Sequence, residues 1–404
     1  MVTASLPTVG PAQPTLEPLP WQRWPVLIAF IGLLAVAWTT STHGGWRFAA
    51  ATFIGGAAGF ALYHAAFGFT AAWRRIVTER RGGGLRAQML LLALTCAVSY
   101  PLIAYGRPEW LGGGLGGGGV GGFVFPFGWT VAVGSFLFGV GMQLGGGCGS
   151  GTLFTAGGGS SRMVVTLAAF IAGSLLGTAH LPSWNGLPAF EAVSLVKTWG
   201  PWAALAATLA FCSTVALVTL VVERRAHAEP EAQRPQVSWW RGTWSPWTGA
   251  VAITAVGIAT FLVLGRPWGV TAGFALWGAK VADAMGVGVR EWTFWQWDWA
   301  RASLDRSVFA DATSIMNFGI VAGAMMAAGL ASKWRPIWRL PARDLATAVT
   351  GGLLMGYGAR LSFGCNIGAY LGGIASGSLH GWFWAVFAFA GSTLAALGKR
   401  RFGL

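Results

Sequence analysis

Long apolar stretches recur along the chain, separated by short polar ones. A helix that crosses a bilayer needs about 20 mostly apolar residues, and ten stretches meet or approach that length. They are 25–42, 48–67, 87–105, 129–146, 163–181, 203–222, 247–264, 308–331, 344–361 and 381–398. Apolar runs of this length and number predict an all-α polytopic integral membrane protein.

Arginine and lysine cluster in the polar stretches between these runs. The clusters lie at 74–86, 224–241, 333–343 and 399–401. Cytoplasmic loops are enriched in such residues, and an even number of predicted spans separates successive clusters. We therefore expect a multi-pass protein of the bacterial inner membrane with a cytoplasmic N-terminal tail (1–23) and a basic cytoplasmic C-terminal tail (399–404).

Composition excludes the soluble classes that length alone would suggest. Of the 404 residues, 54% are hydrophobic and 10% are charged, whereas a soluble domain is roughly 45–50% apolar and about 25% charged. A net charge of +14 would favour nucleic-acid binding in a soluble protein. Here the basic residues border apolar runs, so we expect contact with membrane lipids and no nucleic-acid partner.

Two glycine-rich segments match each other. Both read G-x-G-x5-G-C-x-x-G; one runs from Gly139 to Gly151 and the other from Gly356 to Gly368. Their cysteines, Cys148 and Cys365, are 217 residues apart. A shorter pair, 67–71 and 268–272, shares the pattern aromatic-G-x-T-A and occurs in the same order. Recurrence in the same order indicates a duplicated unit.

The predicted topology makes the two units inverted. By the charge clusters, 129–146 runs inward before its cysteine, whereas 344–361 runs outward before its own. We expect a first transmembrane repeat (24–222), a cytoplasmic linker (223–245) and a second, inverted repeat (246–398). Inverted repeats with re-entrant or broken helices near mid-membrane are typical of transporters, and their half-helix N-termini point at anionic substrate groups.

Two of the four cysteines are candidates for chemistry because they lie in these glycine-rich breaks. A thiol is a polarizable, weak donor suited to a sulfur-bearing ligand. No C-x-x-C motif is present, which disfavours a thioredoxin-like redox pair, and no cofactor or metal is expected. Cys96 and Cys212 lie inside ordinary spans and are expected to be small buried hydrophobes. The candidate substrate-binding and relay residues are Cys148, Cys365, Gly147, Gly149, Gly364, Asn366, Arg360, Gly68 and Gly269.

Charged residues inside predicted spans are rare and usually functional. Arg360 occupies the position equivalent to Gln143 in the first motif, and it either attracts an anion or extends to an interface. Lys280 and Asp283 are three residues apart on a predicted helix, which places them for mutual pairing.

The second motif resembles the YeeE/YedE family of sulfur transporters. The resemblance is carried by 351–369, by the stretch 376–381 (SGSLHG) and by 265–278, which begins GRPWGVT and ends FALWG. It extends over roughly 48–398. It implies an inverted repeat with re-entrant helices and uptake of thiosulfate, which pore cysteines pass along by transient S–H···S contacts. It also implies a TusA-like cytosolic sulfurtransferase as partner.

The chain departs from the family pattern at one position. The family usually has a further cysteine in the first-repeat motif, between two aromatic residues, and this chain has Gly68 there. The substrate is therefore thiosulfate or a related sulfur or selenium species. Two other functions remain open from the residues: a membrane thiol oxidoreductase or sulfurtransferase with covalent turnover of Cys148 and Cys365, and a scaffold subunit without a substrate of its own.

Overall fold

The computed structural model describes residues 20–106, 120–227, 229, 231 and 238–401. Helices make up most of this part of the chain. The α-helices are α1 (Arg23–Ala65), α2 (Phe69–Thr78), α3 (Gly83–Tyr105), α4 (Trp129–Gly145), α5 (Gly149–Gly157), α6 (Ser161–Trp184), α7 (Leu195–Trp199), α8 (Pro201–Ala226), α9 (Pro246–Leu264), α10 (Thr271–Ala284), α11 (Thr293–Gln296), α12 (Asp298–Asp305), α13 (Ala312–Leu330), α14 (Ala342–Leu361), α15 (Gly372–Ala375) and α16 (Leu379–Arg401).

Other secondary structure in the described residues is short. A π-helix, Asn366–Leu371, directly precedes α15. Two 3₁₀ turns occur at Val289–Glu291 and Val308–Ala310. The strands β1 (Phe127–Gly128) and β2 (Ala189–Phe190) pair antiparallel, with Phe127 opposite Phe190.

The predicted polytopic membrane architecture is confirmed. Within the described residues, eight helical segments are long and apolar enough to cross a membrane. One of them contains both 25–42 and 48–67, because α1 continues through a kink at Gly44 and Gly45. The predicted span 344–361 is helical as α14 but is not among the eight. Because α14 packs between α4 and α6, its glycines face protein instead of lipid, whereas Arg343 at its start is exposed.

Glycines fix the closest helix contacts. The first motif glycine, Gly139, faces Ala388 and Ser392 on α16, and its counterpart Gly356 faces Phe170 and Ser174 on α6. Each pair involves the carbonyl of the first partner and the amide of the second. At these positions any side chain would overlap a neighbouring backbone, so only glycine permits the approach.

The next motif glycines make reciprocal contacts. Gly141 lies against the backbone of Gly351 and Met355 on α14, and Gly358 lies against Gly134 and Phe138 on α4. Each of these α14 residues lies 217 positions after its α4 counterpart. The start of α4 faces the end of α14, so the corresponding helices are antiparallel. This arrangement is that of an inverted repeat.

Four half-helices lie between the longer ones. They are α2 and α5 in the first repeat, and α10 and the π-helix with α15 in the second. The breaks before three of them carry Gly68, Cys148 and Cys365 as N-cap residues, and Val270 caps α10 immediately after Gly269. The repeated motifs therefore coincide with the N-termini of these half-helices.

The expected pairing of Lys280 with Asp283 is wrong. Lys280 Nζ donates to the carbonyl oxygen of Leu304 at 2.7 Å, and Asp283 instead accepts from Arg290 Nε at 3.0 Å. Arg290 also bridges to Asp305 at 2.6 Å. Helix α12 brings Leu304 and Asp305 over α10, a long-range contact that the local spacing does not reveal.

Candidate functional site

Arg162 positions the turn that carries Cys148. Helix α4 ends at Gly146, whose φ of 86° is in the left-handed region that glycine adopts without strain. The guanidinium of Arg162 donates to the carbonyl oxygens of Gly145 at 2.8 Å and Leu144 at 2.9 Å. These bonds satisfy C-terminal carbonyls of α4 and position the turn. Cys148 follows and caps α5.

The Cys365 turn is held in the equivalent way by His380. An imidazole nitrogen of His380, Nε2, lies 3.0 Å from the carbonyl oxygen of Ser362, which is 217 residues after Gly145. The indole of Trp384 donates to the Ser362 hydroxyl at 3.0 Å. In both repeats, a side chain near the start of the next long helix contacts carbonyl oxygens at the end of the long helix before the break.

The two residues before Cys365 have unusual backbone conformations. Phe363 has a φ of 59° and Gly364 a φ of 154°. A Cβ on Gly364 would lie 2.8 Å from the amide nitrogen of Ala369, so the turn requires glycine. A bulky residue in the left-handed region is strained, and such strain concentrates at functional sites.

The two cysteine segments meet. A Cβ added to Gly149 would lie 3.1 Å from Sγ of Cys365 and 3.4 Å from Cγ2 of Thr271. The fold thus brings together the N-termini of α5, α10 and the π-helix. Cys148 is 2% exposed and Cys365 is 0% exposed, so both thiols lie inside the protein. The sequence predicted the pairing of the two cysteines, and the structure places their segments in contact.

Amide donors surround the thiols. The first amides of a helix have no intrahelical acceptor. Cys148 is the N-cap of α5 and Cys365 is the N-cap of the π-helix, so each thiol lies beside such amides. The Ser150 hydroxyl is 3.6 Å from Cys148 Sγ. The site therefore combines soft sulfur atoms with the partial positive charge of helix N-termini.

Asn366 adds an amide side chain next to Cys365. It is 0% exposed, and neither its Nδ2 nor its Oδ1 has a hydrogen-bond partner among the described residues. Burying an amide without partners is unfavourable. This side chain is therefore available to a ligand, as the sequence prediction requires.

Two further polar groups nearby were missed by the sequence reasoning. Asn317 Nδ2 donates to the Val270 carbonyl at 2.9 Å, but its Oδ1 has no partner within the described part of the chain. The indole nitrogen of Trp268, a residue 3% exposed, has none there either. The sequence feature that could have identified Asn317 is its side-chain amide in the middle of a mostly apolar predicted span.

At both glycines of the shorter motif, the structure has room for a side chain. A Cβ on Gly68 would lie 3.6 Å from Ala71 Cβ, its nearest neighbour, and a Cβ on Gly269 would lie 3.7 Å from the Phe123 ring. These are ordinary contacts. Gly269 also approaches Gly368 of the Cys365 segment, whereas Gly68 opens onto a cavity of about 330 Å³.

Arg360 lies apart from the cysteines in its described contacts. Its side chain packs against Gly177 on α6, and its guanidinium lies 5.2 Å above the ring of Phe294 on α11. This geometry is a cation–π contact. The prediction that Arg360 takes part in substrate binding remains untested by these contacts.

Aromatic side chains pack against the Cys365 turn. The rings of Phe125 and Phe363 stack at 4.8 Å, and Phe125 also meets His380 edge-on at 5.5 Å. The Phe123 amide donates to the Ser376 hydroxyl at 2.8 Å. These contacts hold the segment before α4 over the π-helix.

Cys96 and Cys212 are buried, at 0% and 4% exposure, as expected. They flank Tyr100, whose hydroxyl lies 3.0 Å from the Thr208 hydroxyl and donates to the Ile374 carbonyl at 2.9 Å. Cys96 is on α3 and Cys212 is on α8, two helices that pack together, and α3 also contacts α15.

Known proteins similar in sequence to this chain include transporters. A family model described as "Sulphur transport" matches residues 64–394. The probable transporter YedE of Salmonella typhimurium is 32% identical over 169 residues, which cover 40% of this chain and 41% of that protein. The thiosulfate transporter TsuA of Escherichia coli is 24% identical over 346 residues, 82% of this chain and 89% of that protein. TsuA of Spirochaeta thermophila is 23% identical over 282 residues, 67% of this chain and 77% of its own length. The chain thus matches only about two fifths of the YedE protein but most of each TsuA.

Proposed function

The chain belongs to the sulphur-transport family, and from this premise we propose that it imports a small sulfur-containing anion, thiosulfate, across the bacterial inner membrane. Cys148 and Cys365 pass the anion between them by transient S–H···S contacts. The basic clusters support a cytoplasmic position for both termini. TsuA, by its name a thiosulfate transporter, aligns with most of the chain, which supports this substrate.

One observation carries the proposal: the Cys365 sulfur lies against Gly149, beside Cys148, where half-helix N-termini meet. Thiosulfate has a soft terminal sulfur and hard, charged oxygens. The thiols suit the sulfur atom, and the unpaired amides and helix N-termini suit the charge. A dianion at mid-membrane requires both kinds of contact, because an uncompensated charge there is very unfavourable.

Selectivity follows from the same geometry. Sulfate has the charge of thiosulfate without its terminal sulfur, so it gains from the amides but not from the thiols. We therefore propose that the site prefers thiosulfate, and that the missing thiol at Gly68 makes passage slower than a three-thiol path allows. A related sulfur or selenium species with a terminal soft atom satisfies the same contacts.

Partners follow from the resemblance and the charge pattern. We propose a TusA-like cytosolic sulfurtransferase as the acceptor of the imported sulfur, and anionic lipid headgroups as neighbours of the basic clusters.

Uptake of ³⁵S-labelled thiosulfate into proteoliposomes tests the function. We expect accumulation that unlabelled thiosulfate abolishes and equimolar sulfate does not. Cys212→Ser, which removes a buried thiol outside the site, is the matched control and should retain uptake. Uptake no greater than in protein-free liposomes would contradict the proposal. A Cys148–Cys365 disulfide or a persulfide trapped during turnover would instead favour covalent sulfur chemistry.

A further inference from the structure

The cavity of about 330 Å³ next to Gly68 has charged walls. It extends from Gly68, the N-cap of α2, to Arg75 near the end of that helix, which is about 10 Å along the helix axis. Arg86 on α3 forms part of the same wall. Among the described residues that line it, the one carboxylate is Glu231.

Two carboxylates, Glu79 and Glu231, share the charge of Arg75. The Glu79 carboxylate lies 2.8 Å from Arg75 Nε and lies outside the cavity lining. The Glu231 carboxylate lies 2.8 Å from Arg75 Nη1, and the side chains of Glu231 and Arg75 are 36% and 32% exposed. Glu231 belongs to the stretch between α8 and α9, and its amide donates to the Glu223 carboxylate at 3.3 Å. An ion pair this exposed contributes little to stability, so a competing anion can displace the carboxylate.

Arg86 is held differently and has a free donor. Its Nη2 lies 2.6 Å from the Glu223 carboxylate, which is 1% exposed. Its Nη1 is buried and has no hydrogen-bond partner among the described residues. Glu223 thus fixes the guanidinium by one nitrogen, and the guanidinium keeps a donor that no described acceptor uses.

The cavity adjoins the cysteine site through α2. The Phe69 ring packs against Tyr370 of the π-helix, with ring centroids 6.0 Å apart. The Thr70 carbonyl accepts from Gln143 on α4 at 3.0 Å. Helix α2 therefore contacts both the Cys365 segment and the cavity.

We propose that the cavity is a second anion site, where a small divalent sulfur oxyanion binds Arg75 and Arg86 before release. The Glu231 carboxylate competes with this anion for Arg75. This rests on the proposed function for the origin of the anion, and the basic cluster at 74–86 places the site on the cytoplasmic side. Because no thiol lines the cavity, it recognises charge, and sulfate binds there as well as thiosulfate.

A cysteine introduced at position 68 measures the charge of the cavity by its labelling rates and needs no transport assay. Gly68→Cys protein in nanodiscs is labelled with an anionic (sulfonatoethyl) or a cationic (trimethylammonioethyl) methanethiosulfonate, each rate being normalised to that of a free thiol. Unmodified protein, whose four cysteines are buried, gives the background. A cavity of one charge sign raises local counter-ion concentration by about tenfold or more.

The expected ratio of anionic to cationic labelling is above unity. Glu231→Gln should raise it several-fold, Arg75→Gln should lower it, and sulfate should lower it by slowing labelling with the anionic reagent. Arg74→Gln is the matched control, since Arg74 is exposed, precedes Arg75 and does not line the cavity. Equal labelling rates that neither Glu231→Gln nor sulfate alters would overturn the second site. That result leaves the cysteine relay untouched, because the assay uses neither thiosulfate nor Cys148.

Discussion

The sulfur of Cys365 lies against the backbone of Gly149, so closely that a Cβ atom on Gly149 would be 3.1 Å from it. Glycine at this position lets the two cysteine-bearing segments, which lie far apart in sequence, share one space. Any side chain there would occupy the region between the two thiols.

Gly149→Ala should therefore impair transport more than folding. The added methyl group pushes against Cys365 Sγ, while alanine is a better helix former than glycine by about 1 kcal/mol. We expect the initial rate of thiosulfate uptake to fall several-fold with an unchanged thermal unfolding midpoint. Gly151→Ala is the matched control, because its Cβ would be 3.4 Å from Cys148 Sγ, an ordinary contact. Equal uptake by the two variants would show that the space beside Gly149 is not on the path.

Asn366→Ala should separate binding from stability. Both polar atoms of the Asn366 side chain lack partners in the described structure, so their loss does not destabilise the empty protein. If the amide donates to the anion, the variant loses about 1.5–3 kcal/mol of binding, which is roughly a tenfold or greater weakening. Thiosulfate binding measured calorimetrically in nanodiscs, beside the unfolding midpoint, checks this. A lower midpoint with unchanged affinity would assign Asn366 to the fold alone.

Gly68→Cys should speed uptake. The position has room for a side chain, with 3.6 Å to its nearest neighbour, and its φ of −115° suits any residue. A thiol there lengthens the relay toward the charged cavity. Gly68→Ser adds a similar volume without the polarizable sulfur and is the control. Faster uptake with both variants, or with neither, would contradict a thiol-specific gain.

Gly358→Ala should destabilise the fold. The new methyl group would lie 2.8 Å from the Phe138 amide and closer still to the Gly134 carbonyl, and overpacking of this kind costs about 1–3 kcal/mol. The reciprocal contact of Gly141 predicts a similar loss for Gly141→Ala. A lower thermal unfolding midpoint in detergent checks both. Gly32→Ala, where a Cβ meets nothing within 4 Å, should leave the midpoint unchanged.

Sequence periodicity was sufficient for the long helices and for the repeat. Apolar length located the spans, and the matched cysteine motifs located the breaks that carry Cys148 and Cys365. The G-x-G part of the motif was not itself informative about role: Gly139 and Gly358 serve helix packing, which only the partner helix reveals.

Long-range contacts account for what the sequence could not indicate. Arg162 and His380 position the two cysteine turns through bonds to Gly145 and Ser362, yet nothing in their local pattern distinguishes them from interfacial residues. The lack of partners for Asn366 is likewise a property of the surrounding fold. Lys280 was misassigned because α12, which supplies the acceptor, returns over α10.

The most direct measurement of the relay is the initial rate of ³⁵S-thiosulfate uptake by Cys148→Ser and Cys365→Ser proteoliposomes, compared with unmodified protein and Cys212→Ser. Serine keeps the size and hydrogen-bonding capacity but removes the polarizable sulfur. We predict that each site variant loses most of its uptake at an unchanged unfolding midpoint, while Cys212→Ser retains it. Uptake that is unchanged in both site variants would contradict the thiol relay.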